Sequence, residues 1–410
     1  MNTHYDILVI GGGAAGFFTA INAAEMNPSK RIGLLERGKD VLTKVKISGG
    51  GRCNVTHAQY DPRELSKNYP RGEKELLGPF HSFMTGDTVA WFESKGVELK
   101  TESDGRMFPV SDNSQTIIDC FLAETKRLSI DVLLRYSVKS VSKSDEVWSI
   151  ETTARVLEAD VLVVATGSNP KIWKLMEQLG HTIVPPVPSL FTFNIKDSRI
   201  LDLPGVSTPA SIKVLNEKGK VELESEGPLL ITHWGMSGPA ILKLSAWGAR
   251  ILALRAYRFT IIVNWLPELS EDEVLEALVV NKGEFSKQTI LKYARFGLPK
   301  RLWRNVVKAV GIDASETWAD ISKRKLQNLA QQLTASYFEV NGKSTFKEEF
   351  VTSGGVDLKE VNFKTFESKK CTGLYFAGEV LNIDAITGGF NFQNAWTGAF
   401  MVAQAITKQL

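Results

Sequence analysis

Apolar positions at the start of the chain come first as a short continuous run, then at helical spacing, then as a second short run. Tyr5-Asp6-Ile7-Leu8-Val9-Ile10 predicts a strand. It feeds directly into Gly11-Gly12-Gly13-Ala14-Ala15-Gly16, which opens an amphipathic helix. Ile32-Gly33-Leu34-Leu35 predicts a second strand, ending on Glu36. Strand, glycine turn, helix, strand and terminal acid together make a dinucleotide-binding βαβ unit. Gly11 permits the tight turn, Gly13 leaves the backbone open to a pyrophosphate, and Gly16 lets the helix lie close to the strand. The helix N-terminus, with Ala14 and Ala15 in its first turn, offers unpaired N–H groups and a positive dipole end to phosphates. Glu36 is placed to accept hydrogen bonds from ribose hydroxyls, with Arg37 beside it.

Further along, residues 39–71 are rich in glycine, lysine and polar side chains, and helical patterns follow at 87–95 and 114–128. Short β-like runs at 131–134, 137–142, 147–152 and 155–158 predict an antiparallel meander. Val138, in the second run, is placed against the nucleotide. Residues 160–167 are continuously apolar, as a buried parallel strand should be, and end on Ala165-Thr166-Gly167. Pro185, Pro186 and Pro188 mark a stiff crossing between domains. The pattern is β-rich over 190–265 and mainly helical over 266–350. It then returns to the opening style, with a strand at 373–377, a glycine-rich loop and a helix over 394–407. The last 60 residues are few for an independent domain. The chain therefore divides into an N-terminal part of a nucleotide-binding domain (1–189), an insertion (190–350) and a completing segment (351–410).

The 410 residues are 43% apolar and 23% charged, as in ordinary globular proteins. No run approaches the roughly 18 apolar residues of a membrane span. No basic, cleavable leader precedes the first strand, so a cytoplasmic location without membrane contact is expected. Cys53, Cys120 and Cys371 are too few and too far apart for a disulfide framework, and metal-ligand spacing is absent, so no metal is expected. The net charge of +3 implies no nucleic-acid partner by itself.

Three later segments point to FAD rather than NAD. Ala165, Thr166 and Gly167 bring small residues beside a nucleotide. Gly378-Glu379 places an acid just past a strand, where a ribityl chain can bind. Gly388-Gly389-Phe390-Asn391-Phe392 opens the final helix, whose N-terminus can stabilise charge on a reduced flavin. Gly389, Asn391 and Phe392 are accordingly read as cofactor-binding. Within 46–54, Ser48-Gly49-Gly50-Gly51 can pass close to flat rings, and Lys46, Ser48, Arg52, Cys53 and Asn54 can contact FAD or substrate.

Ile47-Ser48-Gly49-Gly50-Gly51-Arg52-Cys53-Asn54-Val55-Thr56, Gly105-Arg106-Met107-Phe108-Pro109 and Thr232-His233-Trp234-Gly235-Met236-Ser237-Gly238-Pro239 resemble motifs of one group, as do Thr352-Ser353-Gly354-Gly355-Val356 and Thr387-Gly388-Gly389. The group is the BaiN/RdsA-like flavoproteins, also called the YhiN or aminoacetone-oxidase family. The resemblance implies an α/β, Rossmann-like FAD-binding domain with an inserted β-barrel-like part and a helical part. It also implies an FAD-dependent oxidoreductase. Members are linked to reduction of conjugated double bonds in steroid-like bile acids, to dihydrouridine formation in ribosomal RNA and to amine oxidation. Asn394 stands where an aromatic is often found.

For reduction of an activated C=C bond the protein must supply orientation, a dry pocket and a proton. Cys53 and His233 are the candidate proton donors, against the alternative that each is structural. No second glycine βαβ unit is present, so NAD(P)H is expected only as a transient electron donor. Residues 281–325 hold eleven basic and four acidic side chains, interleaved with Phe285, Tyr293, Phe296, Trp303 and Trp318. That pattern suits RNA, through phosphate contacts and base stacking, and equally suits a solvated helical subdomain with an aromatic core. Three readings stay open: a flavin reductase acting on a uracil in RNA, a small-molecule flavoenzyme, and a flavin-containing binding protein without turnover.

Overall fold

The computed structural model describes residues 3–344 and 351–408. The chain forms two compact units, Met1–Val187 with Lys347–Leu410, and Pro188–Phe346. The first crossing lies two residues before the expected boundary at 189/190, and the expected boundary at 350/351 adjoins residues outside the described set.

In the first unit, five parallel strands lie in the order Asp131–Leu134, Ile32–Glu36, His4–Ile10, Val156–Val164 and Leu374–Phe376. Ile7–Ile10 and Val161–Val164, on the two central strands, are buried, which explains their continuous apolar runs. The expected meander is only partly present. Val138–Ser144 and Val147–Thr152 do pair antiparallel. Asp131–Leu134 instead joins the parallel sheet beside Ile32–Glu36, and 155–158 and 160–164 merge into one strand. That strand is long enough to pair with the meander at its start and with His4–Ile10 further on.

Helix Ala14–Met26 packs on this sheet and against the C-terminal helix Phe390–Thr407. The C-terminal helix thus sits in the core of the unit that begins at the N-terminus. The proline run at 185–188 is itself extended: Ile183–Ser189 pairs with Val351–Val356 in a two-stranded sheet. Gly354 is required there, because a Cβ would lie 2.6 Å from Pro186 Cα.

A buried polar cluster ties the edge of this unit together. The His181 side chain is fully enclosed; its Nδ1–H donates to Glu360 at 3.0 Å and Ser368 Oγ meets its Nε2 at 3.0 Å. Lys370 and the Thr182 N–H also bond Glu360. Burial pushes the His181 imidazole below its ordinary 6.5. Burial acts to raise Glu360, but the bonds from Lys370, Thr182 and His181 outweigh it and hold the carboxyl at about 2, against an ordinary 4.5. Both folded-state values are depressed, so the unfolded chain binds more protons at low pH. Stability from His181 is full above 6.5 and is lost as pH falls. Stability from Glu360 is full above 4.5 and is lost between there and about 2. The urea midpoint is therefore expected to fall stepwise from pH 7 to pH 3; a flat midpoint over that range would refute the assignment.

The second unit is built on a seven-stranded antiparallel sheet. Its order is Ser336–Asn341, Arg258–Asn264, Ser207–Leu215, Val221–Ile231, Gly235–Ser237, Thr192–Asn194 and Lys343–Ser344. The two edge strands, Ser336–Asn341 and Lys343–Ser344, are separated by Gly342 alone, so the sheet curls until its edges meet, as in a barrel. Those two strands fall in the 266–350 stretch expected to be mainly helical. Helices Glu271–Glu284, Lys300–Ala309 and Lys323–Thr334 form one excursion between the neighbouring barrel strands Arg258–Asn264 and Ser336–Asn341. Among the described residues, no helix is long and apolar enough to cross a membrane.

Candidate functional site

The carboxyl ends of the parallel strands converge on the glycine turn. Gly11 has φ +119°, and a Cβ there would lie 2.4 Å from the Ala165 carbonyl oxygen. At Gly16 a Cβ would lie 1.9 Å from the Gly11 oxygen. Both glycines are therefore demanded by close backbone packing. At Gly13, which caps the helix with φ −100°, a Cβ would meet nothing within 4 Å. The fold leaves this glycine without a packing reason, and its free space lies at the positive end of the helix.

The Glu36 carboxylate accepts from the Gly12 N–H at 3.1 Å and the Gly38 N–H at 2.6 Å. It braces the turn and keeps lone pairs for a ribose diol. Arg37 is exposed beside it. The neighbouring Tyr136 N–H bonds the Glu36 carbonyl, which brings the half-buried Val138 strand close to this acid.

Ala14, Ala15, Ala165, Thr166, Gly167, Gly378 and Glu379 line the other side. A Cβ on Gly378 would sit 3.1 Å from Ala15 Cβ, and one on Gly167 would sit 3.6 Å from a Glu379 oxygen. Lys44 Nζ lies 2.7 Å from Glu379. The Coulombic pull of Glu379 raises the Lys44 ammonium above its ordinary range. Sequence reasoning chose Lys46 in this stretch and passed over Lys44; both are exposed lysines of one polar segment, and only the tertiary contact separates them.

The segment 46–54 begins in a short helix from Thr43 and leaves helical backbone at Ser48–Gly50, forming a glycine-rich loop from there on. Gly49, Gly50 and Gly51 all have φ between 57° and 85°, the left-handed region that favours glycine. Cβ atoms on Gly50 and Gly51 would meet nothing. These two positions, like Gly13, present bare backbone to open space.

A second cluster forms where this loop meets the C-terminal helix. The helix begins at Phe390, four residues earlier than expected, because Gly389 caps it with φ +98°. Asn54, with its amide oxygen toward Gly389, accepts that N–H at 3.0 Å and donates to the Met107 and Thr56 carbonyls. His57 Nδ1–H donates to the Gly388 carbonyl at 3.0 Å, and its ring stacks on Phe390 at 4.5 Å. Burial pushes the His57 imidazole below its ordinary value, so it is neutral at pH 7. His57 was not foreseen, and its place after a glycine-rich loop was the available signal. Gln393 ties the helix to Thr56 and Thr88. The Asn391 amide is committed to both backbone groups of Ala385. Phe392 stacks on Trp396 with an interplanar angle of 8°. Asn394 is buried with neither amide atom hydrogen-bonded.

Of the two readings of Cys53, proton donor or structural residue, the packing favours the second: its side chain is fully enclosed, and burial pushes the thiol up to about 12. It is a small core residue held at φ 61°. Arg52 is ion-paired to Glu102 at 2.5 Å and lies 3.8 Å over the Phe108 ring. Arg106 is held by Glu102 and Asp104. Both guanidiniums thus brace the hairpin at 99–109. Lys46 is exposed. His233 stands exposed on a turn of the other compact unit, beside an exposed Trp234.

The chain matches the family described as HI0933-like protein Rossmann domain over residues 5–405. It is 29% identical to a ribosomal RNA dihydrouridine synthase of Haemophilus influenzae, with all of both chains covered. It is 25% identical to a 3-dehydro-bile acid delta(4,6)-reductase of Clostridium scindens, with 98% of each chain covered. In shape it is similar to a 3-ketosteroid delta1-dehydrogenase of Sterolibacterium denitrificans, at TM-score 0.53 and 11% identity, with each chain covered completely.

Proposed function

We propose, from the premise that the chain belongs to the HI0933-like family and is an FAD-dependent oxidoreductase, that it reduces the activated C=C bond of a uracil in ribosomal RNA. The observation that carries this reading is the full-length similarity to proteins named for ribosomal RNA dihydrouridine synthesis, which spans both compact units. FAD, when bound and reduced by NAD(P)H, would supply the hydride to one carbon of the C=C bond, and a proton from water would complete the addition at the other. Gly11, Gly13 and the helix N-terminus hold the pyrophosphate, and Glu36 the adenosine ribose. Glu379, oriented by Lys44, holds the ribityl chain. The Gly388-Gly389 turn, fixed by His57 and Asn54, sets the helix N-terminus at the flavin ring, where its dipole favours negative charge. NAD(P)H arrives transiently as the electron donor, in the cytoplasm where ribosomal RNA is found.

A second reading, reduction of a steroid-like enone, is favoured by the similarity to the bile acid reductase. Deleting the gene and analysing ribosomal RNA by mass spectrometry separates the two. The expected result is loss of one uridine that is heavier by two hydrogens, restored by the intact gene. An unchanged RNA profile, with NAD(P)H-dependent turnover of a conjugated ketosteroid by the purified protein, would overturn the first reading in favour of the second.

A further inference from the structure

The helical excursion of the second unit carries a cationic surface that its own fold leaves uncompensated. Helix Lys300–Ala309 buries Leu302, Trp303, Val306 and Val307 and turns Lys300, Arg304 and Lys308 outward. These three lie one helical turn apart, so they form a single stripe. Helix Lys323–Thr334, which packs against it, begins with Lys323 and Arg324, also exposed. Lys292 is exposed on the connecting segment. None of these six has an ion-pair partner among the described residues. Four other cations nearby are occupied. Lys325 pairs with Glu316, Lys282 bonds the Ile321 carbonyl, Arg301 bonds the Asp202 carbonyl, and Arg295 lies over Phe285.

This arrangement works against the helices that bear it. Like charges four apart destabilise a helix by a few tenths of a kcal/mol per pair. Cations in a first turn oppose the helix dipole, and neither helix has an acid there. A polyanion laid across the stripe relieves both costs.

The aromatic side chains decide what kind of recognition the surface offers. Trp303 and Trp318 are fully buried, and the Trp303 indole N–H bonds the Ile290 carbonyl. Of the two readings of these aromatics, base stacking or core, the tryptophans follow the second. Phe285 and Phe296 are half-buried, and Tyr293 is the exposed ring, at 51%. The surface offers charge for phosphates and little for base edges or faces.

We infer that Lys292, Lys300, Arg304, Lys308, Lys323 and Arg324 form a docking surface for the phosphate backbone of folded RNA, binding by charge and shape with little sequence preference. The inference rests on the proposed RNA reading, because that reaction needs a structured RNA held by groups outside the flavin site.

The test is binding by the full-length holoprotein of a labelled, unmodified large-subunit ribosomal RNA transcript over a series of KCl concentrations. Each neutralised phosphate adds about 0.7 to 0.9 to the slope of log affinity against log salt. The triple variant Lys300→Glu/Arg304→Glu/Lys308→Glu is expected to lower that slope by about 3 and to weaken binding by about 30-fold or more near 0.1 M salt. The glutamine triple variant should fall between it and the wild type. Tyr293→Ala should change affinity by less than about threefold, whereas a stacking contact would cost more. Far-UV circular dichroism and bound flavin confirm that the variants are folded.

Unchanged affinity and slope in both triple variants overturns the inference. So does equal salt-sensitive binding to anionic lipid vesicles or polyglutamate without binding to RNA. Because binding is read without turnover, the two claims fail separately. RNA bound through these cations, with ribosomal RNA unaltered in the deletion strain, refutes the reaction but not the surface. Loss of the reduced uridine on deletion, with RNA binding indifferent to the variants, refutes the surface but not the reaction.

Discussion

Replacing Gly13 by aspartate yields a folded protein that purifies without flavin. The Cβ of a new side chain enters space that holds no atom within 4 Å, so no packing is disturbed. Gly13 has the extended backbone of an N-cap, with φ −100° and ψ −169°, and has no side-chain capping bond to lose. Aspartate is a preferred N-cap residue and gains from the helix dipole. The cofactor-free protein is therefore expected to gain a few tenths of a kcal/mol, up to about 1. The same carboxylate would stand where the pyrophosphate must come, and like charges brought together cost several kcal/mol. Flavin affinity should fall by at least about 100-fold, which is some 2.8 kcal/mol. The checks are flavin absorbance of the purified protein and its thermal unfolding. A variant that keeps stoichiometric flavin refutes the placement of the pyrophosphate. One that fails to fold refutes the claim that Gly13 has no structural duty. Gly16→Ala is the contrast: its Cβ would collide with the Gly11 carbonyl, so it should lose fold and flavin together.

The second large effect is expected at Asp384. This carboxylate is completely buried, and Arg71 Nε donates to it at 2.5 Å while a second guanidinium N–H bonds its other oxygen. The backbones of the two residues also form a bridge, and the Ile386 N–H bonds the Asn68 carbonyl at 3.0 Å. The pair thus pins the segment that leads into Gly388-Gly389. Asp384→Ala would take the carboxylate from a guanidinium in a largely buried place. Removing one partner of such a pair costs about 3 to 5 kcal/mol. For a unit of this size that lowers the unfolding midpoint by on the order of 10 °C. Flavin should also bind more weakly, because the loop that carries the glycine pair loses its anchor. Burying two charges is itself costly, so the double variant Arg71→Met/Asp384→Leu should recover most of the lost stability. Calorimetry of Arg71→Met, Asp384→Leu and the double completes the cycle. Single variants within about 1 kcal/mol of wild type would show that the pair adds little.

The nucleotide end of the site was legible because its demands are local. Gly16 is required by a backbone contact with Gly11, five positions away, and Gly11 by its own positive φ, although Gly11 also packs against the distant Ala165 carbonyl. Helix 114–128 was legible for the same reason: its apolar positions repeat along consecutive turns, and it is found at Ser114–Arg127. The second cluster was less legible. Asn54, His57, Gly388 and Gly389 lie more than 300 positions apart in two groups, and no local pattern announces that they meet. Cys53 illustrates a different blindness. A thiol in a glycine-rich loop looks reactive, and only packing shows that its side chain is enclosed. Trp303 and Trp318 were left open between base stacking and core, since an aromatic among lysines reads alike whether it faces outward or inward.

By itself the sequence determined the βαβ unit, the glycine positions, the α/β class, the FAD-type organisation and the excess of positive charge at 281–325. These depend on backbone torsion, side-chain period and composition, which neighbouring residues settle among themselves. Tertiary structure alone decided that Asp131–Leu134 joins the parallel sheet, and that Ser336–Asn341 returns after three helices to close the barrel. It alone paired Lys44 with Glu379, enclosed Cys53, and turned Trp303 and Trp318 inward while leaving Lys300, Lys308 and Lys323 exposed. Each of those outcomes depends on which distant surfaces find one another when apolar area leaves water, and that choice is made by the whole chain at once.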